Sequence, residues 1–429
     1  MRWRPAFSRL RPAALILLLA ALLTGAAPAD PHAQITALAA PFRFSLLRWH
    51  LGQYLQALTQ GPLSSEARRD PEGLVLEFWE RNGAAQELEQ AGSDVPASER
   101  EALATLRPQV ERILGQQVQA ALRAEGLYSP LDRALPLPVS FPPVWFALEP
   151  PPHLLVVSPR NEIATYQREL LLQEMDVSSM EGLEGAVEGM DLSALVTRIG
   201  GLGATYPSIV TDDSDLAYTL DTVAEEWLHQ YLTFTPLGWG YVLHVLRLRP
   251  NDALAQINES FAGIVAGEIG ARVWQEHYAA RVPERAPSAG APREFDYRAF
   301  MRETRMRTDA LLAAGDIVEA EEYMEARRQR LLEEGYHIRR LNQAYFSFYG
   351  TYADAPGSVS PVGDQLRALR QSAGSLSAFV RLMSAVDSEE AFQALLRARG
   401  ISSAERMAPA PTERQPGEPR SADNAAAGP

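Results

Sequence analysis

Apolar residues recur at three-and-four spacing through FRFSLLRWHLGQYLQALTQ (42–60), LVLEFWERNGAAQELEQA (74–91) and SEREALATLRPQVERILGQQVQAALRAEGL (98–127). That period marks one face of an α-helix. Region 30–135 is therefore expected to be a unit of antiparallel helices, with Ser98 and Glu101 spaced as a capping box. The pattern then changes. LPLPVSFPPVWFALEPPPHLLVVSP (135–159) is rich in proline, β-branched and aromatic residues and predicts two short strands with a proline-rich connection. GGLGATYPSIVTDD (200–213) predicts another strand entered through glycines. Helical periodicity returns at 215–234, 238–248 and 252–280, breaks in a Pro- and Gly-containing loop at 281–294, and resumes in charged helices over 296–350. After the loop GTYADAPGSVSP two shorter helices run to about 398, and 401–429 has the composition of a disordered tail. The expected fold class is α+β, mainly α, with a small sheet in a domain spanning 136–400 behind the N-terminal helical unit.

Composition narrows the partners. Of 429 residues, 40 are Lys or Arg and 54 are Asp or Glu; the resulting net charge of −14 disfavours nucleic acid and anionic lipid surfaces. No cysteine is present, which excludes disulfides, thiolate nucleophiles, cysteine metal ligands and a lipoprotein anchor, so a metal must be held by His, Asp or Glu. The first 29 residues carry arginines, an apolar run from Ala13 to about Leu23 and the small sequence Ala27-Pro28-Ala29. That layout predicts an export signal cleaved after Ala29, or else a retained N-terminal anchor as the one membrane attachment. The protein is accordingly expected outside the cytoplasmic membrane.

The chemistry concentrates in LAYTLDTVAEEWLHQYLTF (216–234). At about 100° per residue, Val223, Trp227, Leu228, Tyr231, Leu232 and Phe234 share one half of the helix, and Thr222, Glu225, Glu226, His229 and Gln230 the other. Glu225 and His229 stand one turn apart on that polar face with Glu226 beside them. Taken alone, a solvated surface explains this equally well. The following helix, NDALAQINESFAGIVAGEIGARVW (251–274), changes the balance. Ala255, Ala262, Gly263, Ala266 and Gly270 share the stripe of Glu259, Ile257, Phe261, Ile264 and Val265 fill the far side, and no other charge lies within 257–267. A helix apolar or small all round is buried, and Glu259 must then find a partner or take up a proton. The partners open to it are an arginine of the 300–340 helices, a core hydrogen bond, or a metal shared with Glu225 and His229.

A ligand pair one turn apart, a Glu between them, and a third ligand in Asn258-Glu259-Ser260-Phe261-Ala262 together resemble the gluzincins, the thermolysin-type zinc metallopeptidases. YHIRRLNQAYFSFYGTYADAPG is similar to the C-terminal part of bacterial aminopeptidase-like proteins of that clan, and the resemblance covers roughly 200–360. It implies that His229 and Glu259 are zinc ligands, that Glu226 is the general base acting on the attacking water, that GATYPSIV (203–210) is the substrate-binding edge strand, and that the substrate is a peptide or protein. Glu225 stands where the family has its first His, giving Glu-Glu-x-x-His in place of His-Glu-x-x-His. A carboxylate can ligate zinc, but two carboxylates cancel a divalent charge, weaken the ion as a Lewis acid and let manganese or iron compete. The expectation is a slow metallopeptidase, and the alternative is a metal-free, noncatalytic relative that binds or scaffolds. Among the remaining candidates, His244 in YVLHVLRL is expected to be a satisfied core histidine, and Tyr345, Tyr349 and Tyr352 core aromatics rather than oxyanion donors.

Overall fold

The computed structural model describes residues 30–59, 61–129, 140–212, 215–282, 295–350 and 355–401. The segment expected to be a signal or anchor, and the tail from 402 onward, lie outside them. The described chain is mainly helical with two small sheets. Helices α1 (Pro31–Ala39), α2 (Leu46–Thr59), α3 (Ser65–Arg69), α4 (Pro71–Gln90) and α5 (Ala97–Ala124) come first. Strands β1 (Phe146–Leu148), β2 (His153–Pro159) and β3 (Gln167–Leu171), helix α6 (Val177–Glu188), and strands β4 (Leu192–Arg198), β5 (Gly201–Leu202) and β6 (Ser208–Val210) follow. Then come α7 (Leu216–Leu232), α8 (Pro236–Val245), α9 (Asp252–His277), α10 (Tyr297–Ala314), α11 (Ile317–Glu333), α12 (Gln343–Tyr349), α13 (Val362–Ser372), α14 (Leu376–Ser384) and α15 (Glu389–Ala398). No described helix is long and apolar enough to cross a membrane.

Each sheet has three strands. In the first, β6 lies between β1, which it pairs in parallel, and β5, which it pairs antiparallel. In the second, β2 lies antiparallel between β3 and β4. Alternate residues of β2 serve opposite layers, as the two-residue period of a strand requires. Leu155 and Val157 join Ile35 of α1 and Leu183 and Val187 of α6, while Leu154 and Val156 meet Ala344 of α12. The HLLVVSP run is apolar because this central strand is covered on both faces. The largest core draws α4 and α5 together with β1, α7, α9 and α13–α15. Phe78, Leu114 and Leu122 thus share a single interior with Trp227, Phe261 and Phe379.

One local expectation fails. Helix α5 starts at Ala97 after Pro96, and no side chain caps it, so Ser98 is inside the helix rather than at its N-cap. Helix α2 does not turn its leucines into the N-terminal core: Leu47, Leu51, Leu55 and Leu58 are exposed. Its inward side is held by polar contacts. Trp49 Nε1 and Gln53 Nε2 donate to Glu149, and His50 Nε2 accepts the Tyr206 amide at 3.2 Å.

Glu149 belongs to a charged group at the junction of α5 and β1. Arg107 donates to Asp212 and to the Leu148 carbonyl, and Glu111 Oε1 accepts the Leu148 amide at 2.7 Å. Burial pushes the Glu111 carboxyl up to about 8, opposed by the Leu148 amide and Arg107 and reinforced by Glu149 and Asp212. A carboxyl whose folded pKa lies above its unfolded value stabilises the fold below the unfolded pKa, and that contribution is lost as pH rises through about 8. Chemical denaturation from pH 5 to 9 is expected to show stability falling, and Glu111→Gln to remove up to about 4 kcal/mol of the fall while keeping the acceptor for Leu148. Parallel profiles for the two proteins would exclude this assignment.

Candidate metal centre

Helix α7 is fixed at both ends and along its apolar face. Asp215 caps it by accepting the Tyr218 amide at 2.9 Å, and Trp227 Nε1 donates to the Pro142 carbonyl at 2.7 Å. Helix α8 follows after one tight turn. Thr235 caps α8 while its hydroxyl donates to the Leu232 carbonyl at 2.7 Å, and Gly238 lies so close to the end of α7 that a Cβ would overlap Leu232 backbone. Asn251 starts α9, accepting the Leu254 amide at 3.0 Å.

Helices α7 and α9 pack closely because small side chains face the contact. Ala255, Ala262, Ala266 and Gly270 are buried, and a Cβ on Gly270 would overlap the Asp221 carboxylate of α7. Gly263 departs from this stripe and faces open space. The far side of α9 is core, where the Phe261 ring meets Phe379 at 5.1 Å.

This packing buries the polar half of α7. Thr222, Glu225, Glu226 and Gln230 are all less than a tenth exposed, so the face is not a solvated surface. It faces β5, α8 and α9. One ligand atom each from Glu225, His229 and Glu259 lies within 4.8 Å of the other two. His229 Nε2 and Glu259 Oε2 are 3.6 Å apart, beyond a hydrogen bond. Two ligands held at about 2.0–2.2 Å on one tetrahedral ion stand roughly 3.3–3.6 Å apart. Glu259 meets His229 and Tyr241, and among the described residues it forms no ion pair with an arginine of α10 or α11.

Like charges crowd the group. Burial, with the Glu259 and Asp221 charges added, pushes the Glu225 carboxyl up to about 8. Burial, then Glu225 and Glu259, holds Glu226 well above the usual carboxylate range against a hydrogen bond from the Gly203 amide. A bound cation relieves the same repulsion that otherwise favours protonation. The trio could therefore hold a metal ion; its donors, two carboxylates and one imidazole, suit zinc, manganese or iron alike. One feature fits less well. His229 Nδ1 is buried without a hydrogen-bond partner among the described atoms, where a metal-bound histidine normally donates from its second nitrogen.

Glu226 is seated against β5. A Cβ on Gly201 or Gly203 would overlap its carboxylate, so the glycines preceding β6 make room for a buried acid beside the trio. The expected edge strand shifts accordingly: within GATYPSIV, residues 208–210 form the central strand β6, hemmed in by β1, and the edge next to the site is β5.

Tyr241 of α8 is the residue that the sequence did not single out. Its hydroxyl donates to Glu259 Oε1, and its ring stacks on His229 with centroids 5.5 Å apart. Burial and then the Glu259 charge keep the phenol well above its ordinary pKa, so it remains a donor. Only its place in a largely apolar helix could have signalled it. His244 is satisfied, accepting the Asn251 amide at 3.0 Å, but it lines the cleft rather than the core. The Tyr345 ring packs at a tilt against Tyr349 with centroids 4.4 Å apart, and the Tyr349 hydroxyl lies 3.3 Å from Thr197 Oγ1. Neither reaches the trio by a hydrogen bond, and Tyr352 lies outside the described residues.

The centre forms the floor of a cleft of about 1510 Å³. That exceeds the roughly 300–1,000 Å³ of ordinary small-molecule sites. Residues 200–205 and side chains of α2, β3, α7 and α8 line it. No protein-family model, no curated protein and no solved structure matches the chain. Replacing Gly201 by Ala is expected to unseat Glu226 and lower stability by about 1–3 kcal/mol in chemical denaturation while leaving metal uptake unchanged. A neutral substitution would show that Glu226 is not held by this contact.

Proposed function

We propose that this chain is a gluzincin-like metal-dependent peptidase in which Glu225, His229 and Glu259 hold one divalent ion and Glu226 is the general base. The carrying observation is the convergence of those three ligand atoms within 4.8 Å, 3.6 Å between His229 and Glu259, at the floor of a cleft. When bound, the ion supplies Lewis acidity toward water and the scissile carbonyl. The protein's own part is positional. Glu226, one residue from a ligand, is placed to take a proton from water and return it to the leaving amine. Tyr241 holds Glu259 by one oxygen and leaves Oε2 turned toward His229. The edge of β5 offers backbone along which an extended peptide can pair.

Glu225 sets the activity. With Glu259 it neutralises a divalent ion, so hydrolysis is expected to be slow, and zinc has less advantage over manganese or iron than in a site with two histidines. The export signal expected from the sequence of residues 1–29 supports a site of action outside the cytoplasmic membrane.

Elemental analysis of the purified protein is expected to find one divalent ion per chain and none in Glu259→Ala. Metal-free wild-type protein would sink the proposal. Glu226→Gln is expected to keep the ion and to lose about 10²-fold or more in hydrolysis of a fluorogenic peptide. Glu225→His is expected to raise zinc affinity at least tenfold and to speed hydrolysis; unchanged zinc affinity would remove Glu225 from the ligand set.

A further inference from the structure

Helix α8 ends in a backbone motif that glycine normally completes. The Arg247 amide donates to the His244 carbonyl at 2.9 Å and the Leu248 amide to the Leu243 carbonyl at 3.0 Å, with Arg247 itself at φ 56°. This is the Schellman arrangement, whose left-handed position favours Gly because a Cβ is crowded there. Elsewhere the chain follows that rule. Gly92, Gly126, Gly315, Gly335, Gly374 and Gly400 take positive φ just past six other helices, and Asp191 is the one further non-glycine residue with positive φ among the described residues. At α8 an arginine is kept in the strained conformation instead. Such departures gather at binding and catalytic sites.

The strain places a cation on the cleft wall. Tyr241, His244 and Arg247 follow one another at three-residue intervals, and the rings of His229, Tyr241 and His244 stack in that order, with centroids 5.5 and 6.4 Å apart. Arg247 continues this line away from the trio, and its guanidinium donates to the Tyr166 carbonyl just before β3. Arg168 of β3 lines the same cleft and donates to Thr165 Oγ1 at 3.3 Å. The two guanidinium groups repel: burial first, then the Arg168 charge, lowers the pKa of Arg247, with Glu169 and Asp252 opposing. Glu169 is already shared among Arg43, Thr36 and Gln167, and Asp252 is exposed near His244. An anion lying between two guanidinium groups removes their repulsion and accepts paired hydrogen bonds.

We infer that Arg247, with Arg168, forms a subsite for a carboxylate of the bound peptide, two to three residues from the bond at the centre. The spacing follows from the helix: six residues at about 1.5 Å rise separate Tyr241 from Arg247 by roughly 9 Å, which an extended peptide covers in about three residues at 3.3–3.4 Å each. The carboxylate is the peptide's C-terminus or an acidic side chain. This inference rests on the reading of the cleft as a peptide site.

The test measures binding rather than hydrolysis. Calorimetric titration of the purified protein, with chelator present, compares three alanine-rich hexapeptides: one acetylated and amidated, one acetylated with a free C-terminus, and one acetylated and amidated with a Glu at the fourth position. One of the two charged peptides is expected to bind at least tenfold more tightly than the neutral one, and which of them does so identifies the source of the carboxylate. Arg247→Gln is expected to abolish the difference, Arg247→Lys to retain part of it, and Arg247→Gly to abolish it with a thermal midpoint no lower than wild type. Equal affinities for all three peptides, no binding of any, or a lowered midpoint in Arg247→Gly would each overturn the inference. Because no metal is present, this outcome is independent of the peptidase proposal. Charge-selective binding with metal-free wild-type protein leaves a peptide-binding cleft without hydrolysis, and a bound metal without charge selectivity removes the subsite alone.

Discussion

Three glutamate carboxylates and one imidazole lie between α7, α9 and β5, where water is largely excluded. Carboxylates so placed cannot all remain ionised unless a cation joins them, so the site is unstable toward either protonation or metal binding. Much of the surrounding structure serves to keep them there. Small residues let the two helices close, Gly270 clears Asp221, Gly201 and Gly203 clear Glu226, and Tyr241 supplies a donor to the one oxygen of Glu259 that does not face His229. Substituting a large residue at any of these glycines would force either the helix pair or the acid to move.

The sequence disclosed these relations unevenly. Glu259 was legible because a helix without another charge across 257–267 has to be buried, and the small stripe around it indicated a close neighbour. The polar face of α7 was not legible alone, since glutamates on a helix surface look the same whether they meet water or a strand. The burial comes from β5, and β5 is two residues long with glycines on either side, too short to announce itself by alternation. For the same reason GATYPSIV suggested the edge strand when its strong β-formers build the central one. The leucines of α2 illustrate a second limit. Their periodicity is helical, as found, but periodicity does not say which side of a helix meets the protein, and here that side is held by Trp49, Gln53 and His50.

Arg247 could not have been read from sequence at all. An arginine after an apolar helix looks like a favourable charge near the helix C-terminus, and only the backbone angle reveals that it occupies a glycine's place. The two sheets matter here more than their size suggests. β5 brings backbone to the cleft and β3 brings Arg168, so elements that belong to separate sheets line one space.

These features bear jointly on Glu225. A site with two histidines and one glutamate leaves its divalent ion positive, and that charge both polarises a carbonyl and attracts a peptide's negative end. With Glu225 and Glu259 both ionised, a divalent ion held there would be neutralised, and attraction for a negative group would have to come from elsewhere in a chain whose net charge is −14. Helix rise puts Arg247 on the order of 9 Å from Tyr241, and Arg168 lines the same cleft, so both guanidinium charges act on whatever the cleft holds. On the proposed reading, the chain has moved positive charge from the ion to the binding wall. In that proposal catalytic power would be reduced while recognition of a carboxylate is kept, the balance expected of a protein that holds peptides longer than it cuts them.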